Sequence, residues 1–158
     1  TSNKLKGYLT ASAAWSSGGN LNEAKRGVIG IGSQTAALCC GGNNAGPITT
    51  NVEEYNGSAW TEITNMGTPR YVGFNAGTAT AGLTGGGVDG YQPPALSNVE
   101  EYNGSTWSEV TNLGAAGYKF LMGVGTQTAA LAVAGRLGPG SGVTDVVDEY
   151  ESRSHRRV

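Results

Sequence analysis

Three pairs of adjacent carboxylates are the residues whose type and spacing first point to chemistry. They are Glu53-Glu54, Glu100-Glu101 and Asp148-Glu149. Two carboxyl groups that face each other across a bond, about 5 to 10 Å apart, can hydrolyse a glycoside. Neighbouring residues of a strand point to opposite faces, so the two members of one pair cannot act together on one substrate atom. We expect one member to be solvated and the other to accept hydrogen bonds from the backbone, Arg70 or Arg26, with calcium ligation as the alternative.

The histidine and the cysteines add no catalytic constellation. His155 is the single histidine of the sequence, and a lone histidine cannot supply a triad, a proton relay or a metal centre. Cys39 and Cys40 are adjacent, so a bond between them in a strand would be strained. Buried, reduced thiols are the expectation, and a vicinal or interchain bridge is the alternative. We therefore predict no catalytic residue, no metal site, no cofactor and no enzymatic activity.

The composition excludes several classes of protein. Glycine supplies 27 of the 158 residues, charged residues supply only 14%, and the net charge is -2. Such a chain lacks the self-repulsion of a disordered linker, and three Trp and seven Tyr indicate packing. A pI near 5.3 gives no electrostatic footprint for nucleic acid. No apolar run of the sequence approaches the roughly 20 residues that span a bilayer, so we predict neither nucleic-acid binding nor membrane insertion.

Internal repeats organise the chain. Segment 51–67 recurs as segment 98–114, with 13 of 17 residues identical. The same period of about 47 residues relates two sets of aromatic residues. These are Trp15, Trp60 and Trp107, and Tyr55, Tyr102 and Tyr150. A period of this size is the signature of a stacked or circular repeat protein. We expect the aromatic residues to pack between neighbouring repeats, with stacking on sugar rings as the alternative.

Each period has the pattern of four short strands, because runs of β-prone residues alternate with Gly, Asn and Pro. In the middle period we predict strands at residues 71–76, 80–85, 99–102 and 106–111. Asn103-Gly104 predicts a tight hairpin turn with positive φ at both central positions, and Asn56-Gly57 predicts the same turn one period earlier. Glycine at this density makes helix unfavourable.

Glycine clusters follow the second strand of each of the first two periods, as Gly41-Gly42 and Gly85-Gly86-Gly87. We expect them where the chain leaves the inner strands, in places that are crowded or that need positive φ. A phosphate-binding loop at residues 30–35 is rejected, because no helix pattern and no Walker lysine follow it. In the third period the doublet weakens to Ala134-Gly135, and the position of Arg70 is occupied by Gly117.

A glycine doublet, then Tyr55 or Tyr102, then Trp60 or Trp107 five residues later resembles the kelch repeat. The run Glu-Glu-Tyr-Asn-Gly-Ser-x-Trp is similar to degenerate kelch-like repeats of marine phage fibre and virion proteins and of bacterial surface proteins. The resemblance covers roughly residues 8–150. It implies an all-β fold of kelch-type β-propeller blades, each a four-stranded antiparallel sheet, with about three blades per chain.

We predict a single domain over residues 1–158, made of an incomplete blade at 1–20, blades at 21–66 and 67–113, an incomplete blade at 114–151 and a basic tail at 152–158. The strand at Trp15 is the fourth strand that the last blade lacks after Tyr150. Because three blades are fewer than the four to eight that close a ring, something else must complete it. The candidates are head-to-tail self-association into a homo-oligomer or filament, or the rest of a longer chain.

The resemblance and the absent catalytic constellation imply a non-enzymatic structural and recognition module. We expect it in a phage tail fibre, virion appendage or extracellular filament, at a virion or extracellular cell-surface location, displaying loops for adhesion to a host surface or glycan. The alternative is a carbohydrate-binding or carbohydrate-active protein of the kelch and galactose-oxidase type. The irregular loops are residues 43–50 and 88–97, and Tyr91 and Gln92 are the possible ligand contacts, with a rigid turn as the alternative.

Overall fold

The computed structural model describes residues 13–90, 95–114, 118–119, 121–137 and 142–152, and these form twelve β-strands. They contain no helix, and so none that could cross a membrane. The prediction of an all-β chain is confirmed for this part of the chain. The possible ligand contacts Tyr91 and Gln92 lie outside the described residues, as do His155 and the rest of the basic tail after Ser152.

The strands form three antiparallel sheets that follow one another along the chain. Sheet 1 contains β1 (Ile29–Ser33), β2 (Ala36–Cys40), β3 (Val52–Tyr55) and β4 (Trp60–Ile63). Sheet 2 contains β5 (Phe74–Thr78), β6 (Ala81–Gly85), β7 (Val99–Tyr102) and β8 (Trp107–Val110). Sheet 3 contains β9 (Tyr118–Lys119), β10 (Met122–Gly125), β11 (Ala129–Leu137) and β12 (Val143–Glu151). The three sheets do not close into a ring.

Sheet 3 differs from the other two in its strand pairing. Both β9 and β10 pair with one edge of β11, and β12 pairs with the other edge. Sheet 3 is therefore only three strands wide, and no described strand pairs with the outer edge of β12. Strand β11 is also longer than its counterpart β2. It continues through Ala134-Gly135, with a register shift between Val133 and Gly135, whereas β2 ends before its glycine doublet.

Four strands are confirmed for the middle period, but the first begins three residues later than predicted. The preceding segment instead connects the two sheets: Val72 donates a backbone hydrogen bond to Gly27 of the neighbouring repeat, and Tyr71 forms a bridge with Val88. Val72 has a φ of 55°, which a regular strand does not permit. Connecting the sheets thus takes precedence over extending the strand.

The predicted tight hairpin at Asn103-Gly104 is wrong in its turn type. Four residues separate β7 from β8, and of the two central residues only Gly104 has positive φ. The Asn103 side chain instead accepts hydrogen bonds from the backbone amides of Ser105 and Thr106, and Asn56 does the same one period earlier. The Asn side chain therefore closes the turn by mimicking a backbone acceptor.

The glycine clusters have two distinct roles. Gly41 and Gly42 have positive φ, as do Gly86 and Gly87, so the chain turns at these positions as expected. Gly85 lies within β6, where a Cβ would approach the Phe74 ring to 2.5 Å. Crowding, and not backbone conformation, requires glycine there.

The apolar core lies between consecutive sheets. We call the face of a sheet that points toward the next sheet in the chain its forward face, and the opposite face its back face. The forward face of sheet 1 packs against the back face of sheet 2. This cluster contains Ile29, Ile31, Leu38, Cys40, Val52, Met66, Ala79 and Tyr102, with Trp107 at its edge. Between sheets 2 and 3, the cluster contains Phe74, Ala76, Leu83, Val99, Leu121, Ala130 and Ala132, with Tyr150 at its edge. Sheets 1 and 2 thus each bury one face against the next sheet in the chain.

Candidate functional site

A carboxylate recurs at one register position of each sheet. Glu53 lies opposite Cys39, Glu100 opposite Thr84, and Asp148 opposite Ala132. Glu53 and Glu100 are buried, whereas the following residues Glu54 and Glu101 are half-buried and Glu149 is exposed. The two members of each pair therefore occupy different environments, and the described residues contain no group of three or more His, Cys, Asp or Glu that could hold a metal.

In sheet 1 the carboxylate is held by a network from the segment before β1. Glu53 Oε2 accepts hydrogen bonds from the Asn22 backbone amide at 2.7 Å and from the Asn22 side chain at 2.9 Å. Lys25 Nζ lies 3.2 Å from Glu53 Oε1, and the Lys25 side chain is almost completely buried. Lys25, one residue before the expected Arg26, thus supplies the cation.

In sheet 2 the expected cation, Arg70, is in place. Its guanidinium is fully buried, with Nη2 4.0 Å from Glu100 Oε2. Nη1 donates to the carbonyl oxygens of Gly86 at 2.5 Å and Asn98 at 3.2 Å. Burial lowers the pKa of Arg70, and the nearby Glu100 carboxylate acts against that shift. Arg70 therefore joins the turn after β6 to the segment before β7.

In sheet 3 the corresponding carboxylate is Asp148. Asp148 Oδ2 is buried and accepts no hydrogen bond. Counted by the repeat, the position of Lys25 and Arg70 is Gly117, which carries no side chain. Asp148 lines a groove of about 810 Å³ between sheets 2 and 3, together with Thr111, Leu113 and Tyr150. In sequence, the third repeat has thus kept the carboxylate and has glycine at the position of the cation.

Protonation of Glu53 should destabilise the chain in acid. Burial raises the pKa of this carboxyl, but the hydrogen bonds from Asn22 and Lys25 outweigh burial and leave the pKa below its usual value. A lowered pKa in the folded state contributes stability above the unfolded-state pKa of about 4.3, and this stability is lost as pH falls through the folded-state value. In urea unfolding from pH 7 to pH 3, wild type should therefore lose its stability advantage over Glu53→Gln as pH falls. Glu54→Gln, on the opposite face of β3, controls for removing one charge, and a gap that is constant with pH would contradict the assignment.

The repeated aromatic residues form one arrangement in sheets 1 and 2. The rings of Tyr55 and Trp60 lie 5.0 Å apart, and those of Tyr102 and Trp107 lie 4.9 Å apart. Trp107 Nε1 donates to the Thr64 carbonyl oxygen at 3.1 Å, just after the fourth strand of the preceding sheet. The pairs thus pack between repeats, as expected for structural residues.

Trp15 departs from its predicted place. Residues 13–20 form no strand, and the Trp15 side chain is fully exposed. The predicted strand at Trp15 is therefore wrong within a single chain. That strand would have to pair with the open edge of β12, where Tyr150 lacks a paired Trp, and this edge lies at the far end of the described array. Gly19 instead lies beside the β3–β4 hairpin, where its carbonyl oxygen accepts a hydrogen bond from Trp60 Nε1 at 3.2 Å.

The forward face of sheet 3 exposes a set of apolar side chains, with Glu149 beside them opposite Leu131. Four of its side chains occupy the positions whose counterparts in sheets 1 and 2 are at most 5% exposed. They are Met122 at 62%, Val124 at 53%, Val147 at 46% and Leu131 at 37% exposed. Their counterparts in sheet 1 are Ile29, Ile31, Val52 and Leu38. Sheet 3 thus presents the packing face of an internal sheet with no described sheet against it.

The irregular loops meet at one end of sheets 1 and 2. Ile48 of loop 43–50 packs with Val88 and Ala95 of loop 88–97, and Tyr71 lies against them. Asn43 is buried and folds its loop back by accepting a hydrogen bond from the Ala45 amide at 3.0 Å. The described parts of the loops are thus held together by a small apolar cluster of their own.

The cysteines are buried, and the residues at 30–35 form a hairpin. Cys39 and Cys40 are free and buried, and burial raises the pKa of both thiols. Residues 30–35 belong to the β1–β2 hairpin, and no helix follows them.

The fold is similar to that of YjhT. The structure of that protein superposes with a TM-score of 0.69 and 14% sequence identity over 85% of this chain. The chain spans about 45% of the length of YjhT. No protein-family model and no curated protein matches the sequence. At this identity the likeness to YjhT concerns the fold alone.

The repeat alone predicts two of these contact residues, Lys25 and Gln127. Lys25 and Arg70 lie one period apart at the same place before the first strand of a sheet, so the repeat would have favoured Lys25 over Arg26. Gln127 donates from sheet 3 to the carbonyl oxygens of Gly82 at 3.2 Å and Tyr102 at 2.6 Å in sheet 2. The sequence pattern that indicates Gln127 is the pair of near-identical segments around Gln34 and Gln127.

Proposed function

We propose that this chain is a non-enzymatic structural and recognition module, an incomplete kelch-type β-propeller that functions within a larger assembly. The exposed apolar face of sheet 3 carries the proposal. Met122, Val124 and Val147 stand where sheets 1 and 2 bury their cores, and a soluble surface rarely leaves such a contiguous set uncovered. A further sheet packed on this face would extend the array toward the four to eight blades of a propeller.

The described electrostatics favour a scaffold over a catalyst. The two buried ion pairs each join residues of one repeat: Lys25 with Glu53, and Arg70 with Glu100. The loops around Ile48 and Val88 lie at one end of the sheets, where a propeller presents its variable surface. We propose that this end contacts a host surface or glycan, with Tyr91 and Gln92 as contacts, and that the assembly is a phage fibre, virion appendage or extracellular filament.

Sedimentation velocity of the purified chain tests the assembly. We expect species larger than the 16.1 kDa monomer at micromolar concentration, because the open face of sheet 3 is apolar. Glu substituted for the exposed Val124 should shift the distribution toward monomer, whereas Val143→Glu is the control for adding charge at an exposed β12 position away from the four aligned side chains. A wild-type chain that remains a cooperatively folded monomer at all concentrations would overturn the proposal.

A further inference from the structure

We propose that the groove and open face of sheet 3 receive a second copy of this chain, which contributes residues 13–21 as the missing fourth strand and packs its sheet 1 against sheet 3. This inference rests on the self-association proposed above. Both surfaces are repeats of contacts that the chain already makes internally between sheets 1 and 2 and between sheets 2 and 3.

The hydrogen bonds of the tryptophans define the register of the incoming strand. Trp107 Nε1 donates to the Thr64 carbonyl oxygen at 3.1 Å, and Thr64 follows the fourth strand of sheet 1. Thr111 is the counterpart of Thr64 one period later, and it lines the groove of about 810 Å³. Trp15 of the second copy, placed as the next tryptophan, would donate Nε1 to the carbonyl oxygen of Thr111.

The same placement supplies the missing aromatic pair. Tyr102 packs on Trp107 at a centroid distance of 4.9 Å, whereas Tyr150 lines the open groove. Trp15 is fully exposed in a single chain, so docking removes a large apolar ring from water. The edge of β12 would at the same time gain the backbone hydrogen bonds that no described strand gives it.

The face contact follows from the back face of each sheet. Sheet 3 covers sheet 2 with Ala130 and Tyr150, whose counterparts in sheet 1 are Ala37 and Tyr55. Val124 is the counterpart of Ile31, which approaches Gly82 on the back face of sheet 2. Val124 would therefore pack on Ala37 of the second copy.

Hydrogen bonds from a glutamine side chain in a hairpin turn indicate the same register. Gln127 Nε2 reaches from sheet 3 to the carbonyl oxygens of Gly82 and Tyr102 in sheet 2. Gln34 occupies the equivalent turn of sheet 1 and is exposed. In the head-to-tail contact, Gln34 of the second copy would donate to the carbonyl oxygens of Ala130 and Tyr150.

The second copy fits better than residues 152–158, which follow β12. Trp60 and Trp107 each stand five residues after their tyrosine, and the residue five after Tyr150 is His155. The segment that does carry the pattern is Ala14-Trp15 through Leu21, which aligns with Ala59-Trp60 through Met66. Two copies contribute six sheets, a number within the range that closes a propeller.

Two complementary substitutions in the full chain test this arrangement. Trp15→Ala removes the donor residue and leaves the acceptor face intact, and Val124→Glu does the reverse. Both positions are exposed in a single chain, so both variants should keep the wild-type near-UV circular dichroism of Trp60 and Trp107. Each variant alone should associate at least about 30-fold more weakly than wild type in sedimentation velocity.

Mixing the two variants should restore a dimer, because one intact donor meets one intact acceptor. Gln34→Ala should weaken wild-type association less than Trp15→Ala, and Ser17→Ala, also exposed, is the control for a change within the segment. If Trp15→Ala associates as strongly as wild type, the strand exchange is overturned and the proposed assembly still stands. A mixture that stays monomeric would overturn the head-to-tail contact, and a monomeric wild type would overturn the proposed assembly itself.

Discussion

Arg70→Met should cost the chain about 3–5 kcal/mol of unfolding free energy, because it removes one partner of a buried ion pair and leaves the other. Arg70 is fully buried and Glu100 is nearly so, and Nη2 of the one lies 4.0 Å from Oε2 of the other. The carbonyl oxygens of Gly86 and Asn98 would also lose their donor. Methionine keeps most of the side-chain volume, so the loss reports charge and hydrogen bonds more than a cavity. Urea unfolding followed by tryptophan fluorescence measures it.

The double variant Arg70→Met with Glu100→Leu separates the two contributions. Removing both charges leaves no uncompensated carboxylate, so the double variant should be more stable than Arg70→Met by at least about 1 kcal/mol. The geometry favours this result, since Nε and Nη2 of Arg70 and Oε2 of Glu100 are buried without hydrogen bonds. If the two losses simply added, the pair would not be coupled and the assignment would be wrong.

The repeat made the strands predictable because each period obeys the same local rules. The β-prone runs around Val99 and Trp107 are separated by Asn103-Gly104, and the observed strands begin within one residue of the predicted ones. The turn type was missed because four residues of this composition can close either by positive φ at two positions or by an Asn side chain. The four-residue loop favours the latter, since Asn103 Oδ1 satisfies two backbone amides.

The site was less predictable, because it depends on contacts between segments that are far apart in the sequence. Alternation within β3 indicated that Glu53 and Glu54 face different environments, but not which cation reaches Glu53. A shift of one residue from Arg26 to Lys25 reverses the direction of a side chain, and only the path of residues 19–28 past sheet 1 decides it. Trp15 likewise carries the pattern of a fourth strand, yet a strand forms only where an open edge can pair with it.

Gly123→Ala should separate sheet 3 from sheet 2 and cost at least about 1–3 kcal/mol, because the two sheets meet through backbone at this point. A Cβ on Gly123 would lie 2.0 Å from the carbonyl oxygen of Asn75 and 2.5 Å from its amide nitrogen. Backbone atoms of β5 cannot move aside as a flexible side chain does, so β10 must shift as a whole. The Ala130 and Tyr150 contacts with sheet 2 would loosen with it.

Gly30→Ala is the matched control, because Gly30 occupies in β1 the position that Gly123 occupies in β10. Nothing lies within 4 Å of a Cβ on Gly30, and its backbone conformation is one that alanine adopts, so this variant should be neutral or up to about 1 kcal/mol more stable. Urea unfolding compares the two variants. Hydrogen exchange should show faster exchange in β10 and β11 for Gly123→Ala alone, since their packing on sheet 2 protects them. Equal stability of the two variants would mean that sheets 2 and 3 do not approach through Gly123 and Asn75, and that β10 is free to move relative to β5.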